Sequence, residues 1–431
     1  MGGIYALIAD DLTGAGDSGA QFARNGLSTR VLFGSFGPAE IGGADILVIN
    51  TDSRFLPPDD AGRAVASATE QLKKVGAIPF FKKIDSTMRG QIGKEIDTIM
   101  DIEGQKAAIF CPSFPANGRI VLGGHLLVEG QPVARSAAGN DPVTPVKISH
   151  IPTLLRQQSI RPIVSCMIDD LNPPTLRKVV EEAKHLGSIV VCDAVTDEDL
   201  ELIAEIGISE IGNILLVGSA GLANPVAKRL AKLLGRYQTT ITTSISIIIA
   251  VGSVNPVARE QLEYLLKSGS AELILLDLEN LFGSNSDLYL ESVVAECMSI
   301  CERGHYPAVA SPGGKDDVEE ARKIGKRLGL NPIEVSSRIS RALGYVVHEF
   351  AENMAHASIV ATGGDIARAI LEEFGCSSLD IIDEVAPGIP ICTMHGGKMP
   401  GVKMITKAGG FGRIDALSLA VDMLARGDVK K

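Results

Sequence analysis

Short apolar runs recur along the chain, bounded by Gly, Asp, Asn or Ser and separated by stretches of helical spacing. Ala6-Leu7-Ile8-Ala9, Arg30-Val31-Leu32-Phe33, Ile46-Leu47-Val48-Ile49, Ala107-Ala108-Ile109-Phe110, Ile163-Val164-Ser165 and Ile189-Val190-Val191 read as buried strands, as do residues 80–84 and 213–217. Runs that are apolar on both faces belong in a parallel sheet covered by helices. Helical patterns over residues 59–75, 91–100, 174–185 and 223–234 alternate with them. Residues 120–150 break this rhythm: Gly and Pro are frequent, and residues 126–133 read as a hairpin or excursion.

A polar, Thr-rich stretch at residues 236–246 marks a boundary. The pattern then restarts with Ile247-Ile248-Ile249-Ala250-Val251 and continues with strands at 273–276, 308–310 and 359–361. Helices are expected over 288–303, 338–353, 366–374 and 414–424. Val217-Gly218-Ser219 leads to Asn224-Pro225, and Val251-Gly252-Ser253 leads to Asn255-Pro256. Both read as a strand, a Gly-Ser turn, then an Asn cap with Pro at the first helical position. The expected fold class is α/β, with two domains, 1–236 and 237–431, each a mainly parallel sheet flanked by helices.

Composition narrows the function. The chain of 431 residues is 45% hydrophobic, enough for large cores. Trp is absent and aromatics make up 4%, which disfavours a surface built on stacked bases. A net charge of −11 disfavours nucleic acid and anionic membranes as partners. An anionic small substrate would need local Lys or Arg. No apolar run approaches the roughly 20 residues of a membrane helix, and the first residues lack a basic segment followed by an apolar signal core. Seven scattered Cys, and seven His with no H-E-x-x-H and no Cys/His cluster, fit a reduced, cytoplasmic enzyme without structural zinc.

Candidate chemistry starts at the first strand end. Asp10-Asp11-Leu12-Thr13-Gly14-Ala15-Gly16-Asp17 follows the strand, and a helix is expected from Ser18. The glycines read as a turn that opens this helix, at the edge where α/β sheets bind ligands. Capping explains one Asp, but not three crowded carboxylates. Gly14, Gly16 and Gly19 also match the dinucleotide fingerprint by spacing. Carboxylates beside a pyrophosphate are unfavourable, so a nicotinamide-dependent dehydrogenase ranks second. No Walker A motif is present, which disfavours a P-loop kinase. Lys82, Lys83, Asp85, Ser86 and Arg89 cluster at one strand end and Arg54 follows another. Arg suits a carboxylate, and Asp and Ser suit hydroxyls, as a small hydroxy acid requires. In the second half, Gly252-Ser253, Gly363-Gly364-Asp365 and Gly409-Gly410 follow strands, a pattern that tilts toward a nucleotide site.

At these residues the sequence resembles the four-carbon acid sugar kinase family over essentially its whole length. The marks are Ala9-Asp10-Asp11-Leu12-Thr13-Gly14-Ala15, Lys83-Ile84-Asp85-Ser86-Thr87-Met88-Arg89-Gly90, Gly118-Arg119, Ala361-Thr362-Gly363-Gly364-Asp365 and residues 407–412. The resemblance implies an N-terminal acid-sugar-binding domain, a C-terminal nucleotide-binding domain and an active site in the cleft between them. It implies ATP-dependent phosphorylation of a terminal hydroxyl on an acid such as threonate, erythronate or 3-oxo-tetronate, with Mg2+ bridging the ATP phosphates. It puts substrate on Asp11, Arg54, Lys82, Lys83, Asp85 and Ser86, and nucleotide on Ser253, Thr362, Gly363, Gly364, Asp365 and Gly409. Asp11 is the expected base, with Lys83 and Arg89 holding the carboxylate or neutralising the transferring phosphoryl. Ile84 stands where the family most often has Thr, which implies a hydroxyl lost near the substrate, and Met88 stands where it has Leu. A sugar-acid-binding protein without catalysis is a third reading. The expected assembly is a homodimer.

Overall fold

The structure is a computed structural model that describes residues 3–34, 36–141, 144–236 and 246–426. The chain divides into two compact units, Met1–Gln238 and Thr239–Lys431. Most of the boundary stretch expected at 236–246 lies outside the described residues.

The first unit contains β1 (Tyr5–Ala9), β2 (Thr29–Phe33), β3 (Ile46–Asn50), β4 (Ile78–Lys83) and β5 (Ala107–Cys111). A meander follows, of β6 (Arg119–Leu122), β7 (His125–Val128) and β8 (Gln131–Pro132), and then β9 (Ile163–Cys166), β10 (Ile189–Cys192) and β11 (Ile214–Gly218). The main sheet runs β2-β3-β1-β4-β11-β5-β10-β9, and its pairings are parallel. The connection from β1 leaves toward β2, and that from β4 leaves toward β5. The chain therefore parts at the β1/β4 neighbours, where such sheets form a crevice. Register levels the site: Ala9 lies opposite Asn50 on one side and Lys83 on the other. The residues just after β1, β3 and β4 thus share one edge. Beneath them Ile8, Leu47, Ile84, Ile96, Phe110 and Val217 are buried together, each fully enclosed side chain contributing about 1.5–3 kcal/mol. The excursion expected at residues 120–150 holds the antiparallel meander. Asp193 anchors it by accepting from Gly123 N at 2.7 Å and Gly124 N at 2.8 Å.

The second unit contains β12 (Ser246–Val251), β13 (Ala271–Leu275), β14 (Tyr306–Ala310), β15 (Ala357–Thr362), β16 (Ser378–Ala386), β17 (Ile389–His395) and β18 (Lys403–Lys407). Its order is β13-β14-β12-β15-β18-β17-β16. The strands from β13 to β18 in that order pair in parallel, whereas β16 and β17 pair antiparallel. Sequence periodicity does not resolve this antiparallel pair.

Helix starts differ from the sequence expectation where a better cap lies upstream. Ser219 caps Ala220–Leu234 by accepting from Gly221 N, so Asn224 and Pro225 sit inside the helix rather than at its start. Asn255 and Pro256 do occupy the cap and first position of Pro256–Lys267. No helix among the described residues is long and apolar enough to cross a membrane.

Candidate active site

The helix after β1 spans Leu12–Arg24, six residues earlier than expected from the glycines. Asp11 is its cap, in an extended backbone conformation, and its Oδ1 accepts from Gly14 N at 2.9 Å. Gly14, Gly16 and Gly19 are therefore helical and do not form a phosphate-binding turn, which removes the fingerprint geometry of the dehydrogenase reading. Gly14 is needed for space: a methyl group there would lie 2.4 Å from Asp11 Oδ1 and 2.7 Å from Lys83 Nζ. Asp17 lies in the second turn of the helix, buried.

Arg54 draws the two acidic residues together. Its Nε and Nη2 donate to both oxygens of Asp10, at 3.0 and 2.8 Å. Its Nη1 and Nη2 donate to both oxygens of Asp11, at 2.6 and 2.7 Å. The side chain of Asp10 is 1% exposed and that of Asp11 is 23% exposed. Their acidities are separated by the charges around each rather than by exposure. Burial raises the pKa of both, but around Asp10 the charges of Arg54 and Lys82 prevail and hold its carboxyl below the usual range. At Asp11 burial, reinforced by the negative charge of Asp10, outweighs Arg54 and Lys83, and the pKa is pushed up.

Lys82 and Lys83 end β4 in opposite circumstances. Lys82 is fully enclosed and pairs with Glu95 at 2.7 Å, and Ser53 also donates to Glu95. Lys83 is 4% exposed, yet among the described residues its ammonium makes no hydrogen bond or ion pair. It sits over Gly14 beside Asp11. Asp85, in the following turn, receives both Arg89 Nε at 2.8 Å and Arg89 Nη2 at 3.1 Å, together with the Thr87 hydroxyl. Burial pushes Asp85 up, but Arg54, Arg89 and Thr87 prevail and keep it charged far below the usual range. Arg89 also reaches Asp141 at 3.4 Å. Ser86 is half-buried in the same turn. Met88 adopts a left-handed backbone, φ 70°, which lets the turn close. Ile84 is fully buried in the apolar core. Its side chain does not line the edge, so the Thr-to-Ile difference removes no hydroxyl from it.

In the second unit, β12, β15 and β18 are neighbours with matched ends: Val251 lies opposite Thr362, and Thr362 opposite Lys407. Their following loops converge. Gly363, at φ 112°, caps the helix Gly364–Glu373 and has no side-chain oxygen to take the first N–H groups. A methyl group at Gly409 would come within 2.1 Å of Ser253 Oγ. Thr362 is fully buried, and its hydroxyl has no partner among the described residues. Asp365 is exposed in the first helical turn. Beside Gly252, a cavity of about 240 Å³ is lined by Val254, Leu278, Pro312, Val335, Ile339 and Ile366 among others. His348, Glu349 and Glu352 are the one group among the described residues with metal-ligand spacing. They lie at the end of the helix that leads into β15, at the amino edge of the sheet, opposite these loops.

Comparison with known proteins agrees with this division. Residues 5–226 match the family described as "Sugar-binding N-terminal domain" and residues 248–417 the one described as "Nucleotide-binding C-terminal domain". A Bordetella bronchiseptica protein named D-threonate kinase is 34% identical, with 98% of each chain covered. A Heliobacterium modesticaldum protein named D-erythronate kinase is 29% identical over 97% of this chain and 96% of its own. A crystal structure from Haemophilus influenzae, 24% identical, has the same fold, with a TM-score of 0.78 over 97% of this chain and 100% of that one. With both domains matched and relatives aligned along nearly its whole length, the chain belongs to the four-carbon acid sugar kinase family.

Proposed function

We propose that this kinase transfers the γ-phosphoryl group of ATP to the terminal 4-hydroxyl of a four-carbon sugar acid such as D-threonate, D-erythronate or 3-oxo-tetronate. One observation carries the site assignment: a partly exposed carboxylate of raised pKa, Asp11, stands beside a buried, unpaired ammonium, Lys83, across the bare face of Gly14. This pairing suits an anionic substrate that must also surrender a proton.

Asp11 accepts hydrogen from the attacking hydroxyl, and the hydroxyl oxygen then attacks phosphorus as the bond to ADP breaks. Arg54 holds Asp11 in place by two hydrogen bonds, and Asp10 compensates the guanidinium charge. Arg54 and Arg89 are already engaged with Asp10, Asp11 and Asp85, so Lys83 is the cation most available to the substrate carboxylate. Lys82 acts through its charge from beneath the site, while Asp85 and Ser86 offer acceptors to the hydroxyls. The nucleotide phosphates lie against Ser253, Thr362, Gly363, Gly364, Asp365 and Gly409, where free N–H groups and the Thr362 hydroxyl await acceptors. Mg2+ neutralises the phosphate charge when bound. The acidic group with ligand spacing is on the opposite sheet edge, so Asp365 would be the carboxylate available to hold Mg2+.

Asp11→Asn keeps the shape of the site and removes the base. Turnover should fall roughly 10²- to 10⁴-fold while calorimetric binding of the acid persists. Near-normal turnover with intact binding would refute the base assignment. Acid binding by the native protein with no ATP consumption would instead favour a binding protein.

A further inference from the structure

We propose that Lys407 is a positioning residue for the nucleotide: its buried ammonium gathers the carbonyl oxygens of the loop after β18, so that the Gly409 and Gly410 N–H groups face the phosphates. The inference rests on the nucleotide lying against the second unit, as proposed above.

Lys407 is 2% exposed, and among the described residues no carboxylate pairs with it. Its Nζ donates to Ala408 O at 2.8 Å, Gly409 O at 3.2 Å and Phe411 O at 3.1 Å. Gln261, also fully buried, donates to Phe411 O, Gly412 O and Arg413 O at 3.0, 3.0 and 2.8 Å. Five loop positions, 408, 409, 411, 412 and 413, thus turn their carbonyls toward two buried donors. A trans peptide points its N–H opposite its C=O. The Gly409 and Gly410 N–H groups are therefore directed away from Nζ, and they have no acceptor among the described residues. Gly409 packs against Ser253, and Gly410 lies beside Asn255, so the loop closely approaches the one after β12. Successive N–H groups held this way form an anion-binding concavity, and the unpaired ammonium behind them adds favourable charge.

Burial also lowers the Lys407 pKa to about 8. On neighbouring elements, β15 brings Thr362 opposite it and the helix Gly364–Glu373 carries Asp365, whereas Arg259 of Pro256–Lys267 is turned to Ser311 O. Strand β17 offers Cys392 and, at its far end, His395. Beyond the loop, Arg413 and Asp415 pair with each other at 3.5 Å. None of these groups forms an ion pair with Nζ among the described residues. An anion bound over the loop favours the ammonium, so nucleotide affinity should fall as pH rises through the free-protein value.

The test is the Kd of MgATP by calorimetry, and KM for ATP and for the acid, from pH 6.5 to 9.5 in wild type, Lys407→Arg and Lys407→Met. In wild type the Kd for ATP should rise toward tenfold per pH unit above about 8, with KM for the acid flat. Lys407→Met should weaken ATP about 10-fold or more at pH 7 with that pH dependence gone, and Lys407→Arg should restore part of the affinity without it. Melting curves identify a variant that fails to fold, and the wild-type profile needs no variant. A flat wild-type profile, or Lys407→Met binding ATP within twofold of wild type, would overturn the inference while leaving ATP as the donor. Wild type that neither binds nor consumes ATP would overturn the donor assignment and this inference together.

Discussion

Two neighbouring aspartates on one arginine differ in acidity because different charges surround them. Asp10 is held charged by Arg54 and Lys82, whereas Asp11 is pushed toward a proton by burial and by Asp10. The rising limb of the kcat/KM profile should therefore lie above the ordinary Asp range, and a limb at or below about 3.9 would contradict the assignment of Asp11 as base. Gly14→Ala probes the same spot. Helix propensity favours Ala by about 1 kcal/mol, but the methyl would displace Asp11 Oδ1 and Lys83 Nζ. Melting temperature should change little while kcat/KM falls about 100-fold, since a displacement near 1 Å can cost that much. Lys407 links pH to stability in the opposite sense from its effect on binding. Its folded-state pKa is depressed, so between about 8 and the ordinary value the unfolded chain binds more protons. Its contribution to stability should grow across that window as nucleotide affinity declines, which melting curves with and without ATP would separate.

At the scale of elements, strands are legible, and helix starts are legible except where a better cap lies upstream. Parallel strands announce themselves as continuous apolar runs, and β1, β3, β5, β10 and β12 lie where such runs occur. The helix after β1 was misplaced because Gly14, Gly16 and Gly19 read as turn residues. In the structure Asp11 supplies the cap, and Gly14 lets the helix approach Lys83. The same blindness hid Glu95. It lies in the helix Ile92–Glu103, and only the fold reveals it as the partner of Lys82. The carboxylates and cations of the site could be read from residue type, but their pairing could not, because it depends on strand order. Glu95→Gln would remove the carboxylate that pairs with Lys82 at a fully buried position. Such breaks cost roughly 3–5 kcal/mol, so the variant should melt at clearly lower temperature, and an unchanged melting point would count against the pair as a structural brace.

At the scale of the molecule, each unit gathers a different set of groups at the carboxyl edge of its sheet. The first concentrates carboxylates, Lys83 and Arg54, and the second presents glycine loops and free N–H groups. The division matches the sugar-binding and nucleotide-binding domain families. Relatives named for threonate and for erythronate align at 34% and 29% identity, so choice of acid rests on placement of a few hydroxyl partners rather than on the fold. The decisive measurement is ADP release from MgATP over a panel of tetronic, oxo-tetronic and longer sugar acids, with the mass of each product. The account predicts ADP formation above the water control with at least one four-carbon acid, whose mass increases by one phosphoryl group. ADP formation with none of the four-carbon acids, or phosphorylation confined to longer acids, would contradict it.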